Sequence, residues 1–201
     1  MNVEFYWFSW VAFILLTFFI PGDVLKKQVM SAFVLLSIIV YSLITVSDEF
    51  LLWSLSFHAI FGLYFWAEPK PILNQLWLII LIFLTTLFQL FIIVNPVWVI
   101  FPAGWVFLTI VIFLIQLCIP SLASQAGLWI LMNAGGAAAA YLVAESLAID
   151  FMMNYTFAHT VVVQGILLLF VFYLIDRVKH LMRISKRKAL LKKRMMAPLN
   201  K

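Results

Sequence analysis

Charge is what this sequence has least of: Asp, Glu, Lys and Arg make up 10% of its 201 residues, against 66% hydrophobic. A soluble domain carries about 25% charged and about 45–50% apolar residues, so this chain lacks the polar surface to solvate a globule. It is equally short of cysteine. Cys118 stands alone inside an apolar run, which excludes an intramolecular disulfide and CxxC metal or redox chemistry and leaves packing as its role. HExxH, GxSxG and P-loop glycine patterns are absent, so the hydrolase and nucleotide-binding classes that depend on them have no footing. The opening MNVEFYWFSW holds an acid and no Lys or Arg. A cleaved secretory leader needs a basic start, and the first apolar segment is therefore expected to be a retained span.

What the chain has is apolar length. Its mean hydropathy is +1.14, and its apolar runs follow one another at about the 20 residues that span hydrocarbon as a helix. Seven spans are expected, at about 5–20, 29–46, 50–67, 75–94, 97–118, 126–148 and 155–176. The separators PGDVLKKQ, SDE, EPKPILN, NP, PSLASQ and DFMMN carry the residues that break helices. The start of the fifth span is the least defined, because NPVWVIFPAGW can hold an interfacial segment that delays it to about Ala103. The expected fold is all-α, a polytopic transmembrane helical bundle over residues 1–176 with a basic cytoplasmic tail over 177–201.

Two patterns orient it. Lys and Arg gather in cytoplasmic loops. With seven spans and the N-terminus outside, Lys26, Lys27, Lys70 and the ten basic residues of the tail all fall on the inner side, whereas an even span count would divide them. Tryptophan favours the headgroup zone. Trp7, Trp10, Trp53, Trp98 and Trp105 fall near outer boundaries and Trp66, Trp77 and Trp129 near inner ones. No internal repeat is evident, and seven spans do not divide into the two equal inverted halves usual in secondary transporters.

The polar residues within the spans are few. In the sixth span Gly136, Ala140, Ala144 and Ala148 recur every four residues as a small stripe, expected to be a buried packing surface. Asn133, Ala137, Tyr141 and Glu145 form a second four-residue series, read as a face able to hydrogen-bond. Glu145 lies about one turn from the outer end, where a carboxylate costs less than at the bilayer centre. His159 lies at a similar expected depth, so a charge-assisted Glu145–His159 pair is the sharper reading and satisfaction by headgroup water the plainer one. His58 falls mid-span with Ser54 and Gly62 a turn to either side, either as a proton relay or ligand contact or as a neutral ring bonded to a neighbour. A metal site built from His58 and His159 is discounted because their expected depths differ widely, and no cofactor is expected. Thr85, Gln89, Thr109 and Gln116 are expected to make interhelical hydrogen bonds.

The segment RVKHLMRISKRKALLKKRMMAPLNK, residues 177–201, holds ten basic residues and no acid. It is expected to continue the seventh helix and to rest on anionic headgroups through Arg177, Lys179, Arg183, Lys186, Arg187, Lys188, Lys192, Lys193 and Arg194. No aromatic residue interleaves them, which argues against nucleic-acid stacking.

The opening EFYWFSWVAFILLTFFI, a short lysine-bearing loop and a second span ending in ITVSDEF resemble the small YphA-type membrane proteins of Bacillus-type bacteria. The resemblance implies a multi-pass protein of the bacterial cytoplasmic membrane and supplies no activity, cofactor or site residue. Two function classes stand. One is a non-catalytic membrane component that binds another membrane protein or lipid. The other is a small transporter or ion-coupled permease using His58 and the Glu145 face, which requires a water-accessible path between them. An intramembrane enzyme comes third, because no nucleophile or metal stands beside the acid and base candidates.

Overall fold

The computed structural model describes residues 3–20, 24–44, 51–94, 103–147 and 155–196. Among them the chain is all-α, with seven helices: α1 (Val3–Ile14), continued by a π-helical turn at Leu15–Phe19, α2 (Val24–Ile44), α3 (Leu51–Trp66), α4 (Ile72–Val94), α5 (Ala103–Cys118), α6 (Leu122–Ser146) and α7 (Tyr155–Met196). Four stretches are long and apolar enough to cross a membrane: Val24–Leu43, Ile72–Ile92, Leu122–Ser146 and His159–Arg187. α3 and α5 have 16 residues each, or about 24 Å at 1.5 Å per residue, against a hydrocarbon thickness of about 30 Å. The fifth helix is described from Ala103, the later of its two expected starts. Trp98 and Ala148 lie outside the described residues.

Contacts between helix ends fix the direction of most helices. Phe5 at the start of α1 stacks on Tyr41 near the end of α2 at 4.0 Å, and His159 near the start of α7 reaches Ser54 near the start of α3. We call this the histidine end. At the opposite, lysine end, Lys26 in the first turn of α2 pairs with Glu68 just after α3, and Glu68 also meets Ser124 in the first turn of α6. The chain therefore runs up and down through the bundle, as apolar runs joined by short connections dictate.

α6 is the centre, with every residue from Ser124 to Ala134 buried. Small residues permit this. In lipid, close backbone approach replaces the hydrophobic drive between helices. A Cβ on Gly127 would lie 2.7 Å from the Trp66 backbone nitrogen, and one on Gly136 would lie 2.7 Å from Thr85 Cβ, so α3 and α4 approach α6 where it has no side chain. Of the small stripe, Gly136, Ala140 and Ala144 are all buried. The outer faces of α4 and α5 remain apolar and exposed, including Ile79, Phe83, Leu87, Ile110 and Phe113, as a lipid-facing surface must be.

α7 runs unbroken for 42 residues, or about 63 Å. Val162, Val163, Ile166, Leu169 and Phe170 sit in the core, while Arg177 to Arg187 are exposed throughout. The tail thus begins as the second half of a helix whose first half is packed in the bundle.

Candidate functional site

Ser54 and His58 are four residues apart and so share one face of α3. The His58 ring nitrogen Nδ1 lies 2.8 Å from the Ser54 carbonyl oxygen. A carbonyl only accepts, so Nδ1 carries the proton and donates it. Ser54 Oγ lies 2.5 Å from Nε2 of His159, and the two imidazole rings meet at 4.6 Å between centroids and 71° between planes. An aromatic cage closes around them: Phe33 and Phe57 stand edge-on to His58, and Phe5 and Tyr41 edge-on to His159. His58 is 5% and His159 3% exposed. His159 Nδ1 finds no hydrogen-bond partner among the described residues.

This overturns the expectation that the two histidines lie at widely separated depths. His58 is the eighth residue of α3 and His159 the fifth of α7, and both helices begin at the histidine end. The offset is three residues, or about 4.5 Å along the axis. Counting from the middle of a predicted span hid the coincidence; counting from helix starts reveals it. Among the described residues no third His, Cys, Asp or Glu joins the pair. Both rings bond to Ser54, His159 to its hydroxyl and His58 to its carbonyl, as a short unit within about one helical turn of depth. Proton transfer across a bilayer needs groups at successive depths.

Glu145 is not part of this unit. It is exposed in the last turn of α6, whereas His159 is buried and engaged by Ser54; the Glu145–His159 pair does not form. The second face of α6 dissolves for a geometric reason. Four residues turn a helix by about 400°, so a four-residue series drifts about 40° per step, and Glu145 ends about 120° from Asn133. Asn133 is accordingly buried, its Nδ2 donating to the Trp129 carbonyl at 2.8 Å, while Tyr141 is 39% exposed. The expected interhelical bonds from threonine also fail to appear. Thr85 Oγ1 donates to Leu81 O and Thr109 Oγ1 to Trp105 O, each at 2.8 Å and each within its own helix. The i−4 carbonyl is within reach of the threonine hydroxyl without any neighbour. Thr86, which the sequence gave no reason to single out, makes the contact across to α6, at 3.4 Å from Gly136 O.

The lysine end holds a charged latch that sequence reasoning missed. Glu68 accepts from Lys26 Nζ on one carboxylate oxygen and from Ser124 Oγ at 2.8 Å on the other. The Lys26 hydrogen bond, opposed by burial and helped by the hydroxyls of Ser124 and Ser121, holds the Glu68 carboxyl down at about 2. Beside it Lys70 donates to the Trp66 carbonyl at 2.5 Å and sits 4.1 Å from the Trp66 ring centroid. Burial lowers the Lys70 ammonium pKa, against the pull of Glu68. The signal available was EPKP, a short connection in which only the lysine counted toward orientation.

Of the tail residues, Arg177, Lys179, Arg183, Lys186 and Arg187 are exposed, and Lys179 Nζ lies 3.9 Å from Asp176 Oδ1. Lys188, Lys192, Lys193 and Arg194 continue the helix, but their side chains lie outside the described residues.

Comparison with curated proteins and with solved structures finds no match. A family profile matches residues 2–195, nearly the whole chain, including the aromatic opening, the latch, both histidines and the basic half of α7. The chain therefore belongs to the YphA-like integral membrane protein family and is a multi-pass integral membrane protein.

Proposed function

We propose that the protein is a non-catalytic component of the bacterial cytoplasmic membrane. In this reading it crosses the bilayer seven times from an outer N-terminus and works through its cytosolic end, where a basic helix engages anionic headgroups. The observation that carries the reading is α7, packed over its first half and exposed and basic over its second. Lys26 and Lys70 stand at the lysine end, through which the basic half of α7 leaves the bundle, while α1 begins at the other end. An odd number of crossings accounts for this.

Each basic residue near an anionic surface contributes about 1 kcal/mol, over a screening length of about 8 Å at physiological salt. No proline interrupts α7. Arg177, Lys179 and Arg183 therefore stay nearest the headgroups, and the later basic residues stand progressively farther off along the same axis. A non-catalytic role draws support from several interior polar side chains that are engaged within their own helices: Ser9 on Phe5 O, Ser37 on Phe33 O, Thr85 on Leu81 O and Asn133 on Trp129 O.

The test uses the full chain in vesicles with a fluorophore on Leu181→Cys or Met195→Cys, Cys118 being replaced by Ser. A quencher borne on phosphatidylglycerol is expected to quench the label at 181, to lose effect at high salt, and to leave the label at 195 nearly untouched. Absence of salt-sensitive quenching at 181 would overturn the reading. The second reading, a small ion-coupled permease, is favoured by the adjacency of His58 and His159 and no longer involves Glu145. Proteoliposomes are expected to show no proton or solute flux above empty vesicles. Flux abolished by His58→Ala, and spared by Glu145→Ala, would put the permease first.

A further inference from the structure

At the lysine end a cavity of about 250 Å³ opens between the α5–α6 turn and α7, lined by Gln116, Ile119, Leu122, Gln125, Tyr173 and Asp176 among others. Its depth follows from α7, where Asp176 is the first charged residue after the apolar run that ends at Ile175. The mouth therefore lies at headgroup level. Ser124 is committed to Glu68, while the next residue, Gln125, turns to the cavity and donates its Nε2 to Ile119 O at 2.6 Å. That bond orients the amide and leaves its oxygen as an acceptor. With the Asp176 carboxylate, which only accepts, the lining is biased toward a ligand that donates and is positive. Lys179 stands 3.9 Å from the same carboxylate, so a cation adjoins the acceptor set. An acid and a base side by side suit a ligand with opposite charges a few bonds apart. The volume is below the roughly 300–1,000 Å³ of pockets that enclose a whole small molecule, and Ile119 and Leu122 give one wall an apolar character.

We propose that this cavity binds the phosphoethanolamine headgroup of an aminophospholipid, its primary ammonium on Asp176 and Gln125 and its phosphate toward Lys179. The proposal rests on the reading of the lysine end as the lipid-engaging face and adds a second, zwitterionic lipid class to the anionic one. A quaternary ammonium has no N–H to donate, so phosphatidylcholine is the discriminating competitor.

The experiment is lipid retention by the purified full-length chain in native mass spectrometry, with phosphatidylethanolamine, phosphatidylcholine and phosphatidylglycerol of identical acyl chains in competition. Charge-assisted hydrogen bonds of this kind are expected to favour phosphatidylethanolamine over phosphatidylcholine by about tenfold. Asp176→Asn, at a side chain 76% exposed and so harmless to folding, is expected to bring the ratio close to one, and Tyr173→Phe to keep most of it. Equal retention of the two lipids by the native chain, or a preference that survives Asp176→Asn, overturns the proposal. So does saturable binding of free ethanolamine with the same Asp176 dependence but no lipid preference, which would make the ligand a soluble amine. Replacing Arg177 and Arg183 by Gln is expected to weaken phosphatidylglycerol retention alone, so the tail reading and this one fail separately.

Discussion

Gly127 and Gly135 sit eight residues apart on α6, yet a methyl group added at each meets different matter. At Gly127 it would lie 2.7 Å from the Trp66 nitrogen and 2.8 Å from the Phe65 carbonyl carbon, both backbone. At Gly135 it would meet the tip of Ile82, Cδ1 at 2.9 Å, which can rotate away. Alanine gains roughly 1 kcal/mol over glycine in a helix, while forcing atoms into a filled interface costs about 1–3 kcal/mol. Gly127→Ala is therefore expected to lower the thermal midpoint of the full chain in micelles, and Gly135→Ala to leave it level or raise it. Equal shifts would contradict the backbone approach of α3. At this scale the sequence was readable where one helix decides the outcome: Gly136, Ala140 and Ala144 of the small stripe are buried as its composition requires. It was unreadable where a neighbour decides. Nothing in SLSFH names His159 as the partner of Ser54, and a four-residue series overstated the reach of one face, as Glu145 demonstrates.

Helix ends are joined by the Glu68 latch, which ties the first turns of α2 and α6 to the connection after α3. The folded carboxyl sits at about 2 against an ordinary 4.5, held there first by Lys26. A depressed carboxylate stabilises the fold fully above its unfolded value, so the contribution is present above about 4.5 and is lost as pH falls toward about 2. Lys26 is 45% exposed and solvent screens the pair, which limits its worth to about 1 kcal/mol or less. Glu68→Gln is expected to remove that part of the acid-induced loss of stability, and Lys26→Gln to remove most of it; an acid profile identical to that of the native chain would dispose of the latch. Among the elements themselves, the existence and order of the helices were legible because apolar length and helix breakers are properties of contiguous sequence. The latch was not, because it joins residues 42 and 56 positions apart, and orientation rules give acids no weight.

For the molecule as a whole, the proposed seven crossings put the termini on opposite faces of the membrane. Cysteines introduced at Asn2 and Asn200 in a Cys118→Ser background are expected to react from opposite sides of sealed vesicles with a reagent that cannot cross lipid. Reaction of both from one side would remove the seven-crossing topology and the placement of the basic helix with it. α6 has the lowest mean hydropathy of the four long spans, 1.4 against 2.2 for α4, yet 67% of it is enclosed by its neighbours against 17% for α4. It is the least apolar of the four, and its slot is formed largely by α3 and α4, which precede it in the chain. A chain ending after α5 would therefore leave uncovered the faces of α3 and α4 that meet α6 in the complete bundle.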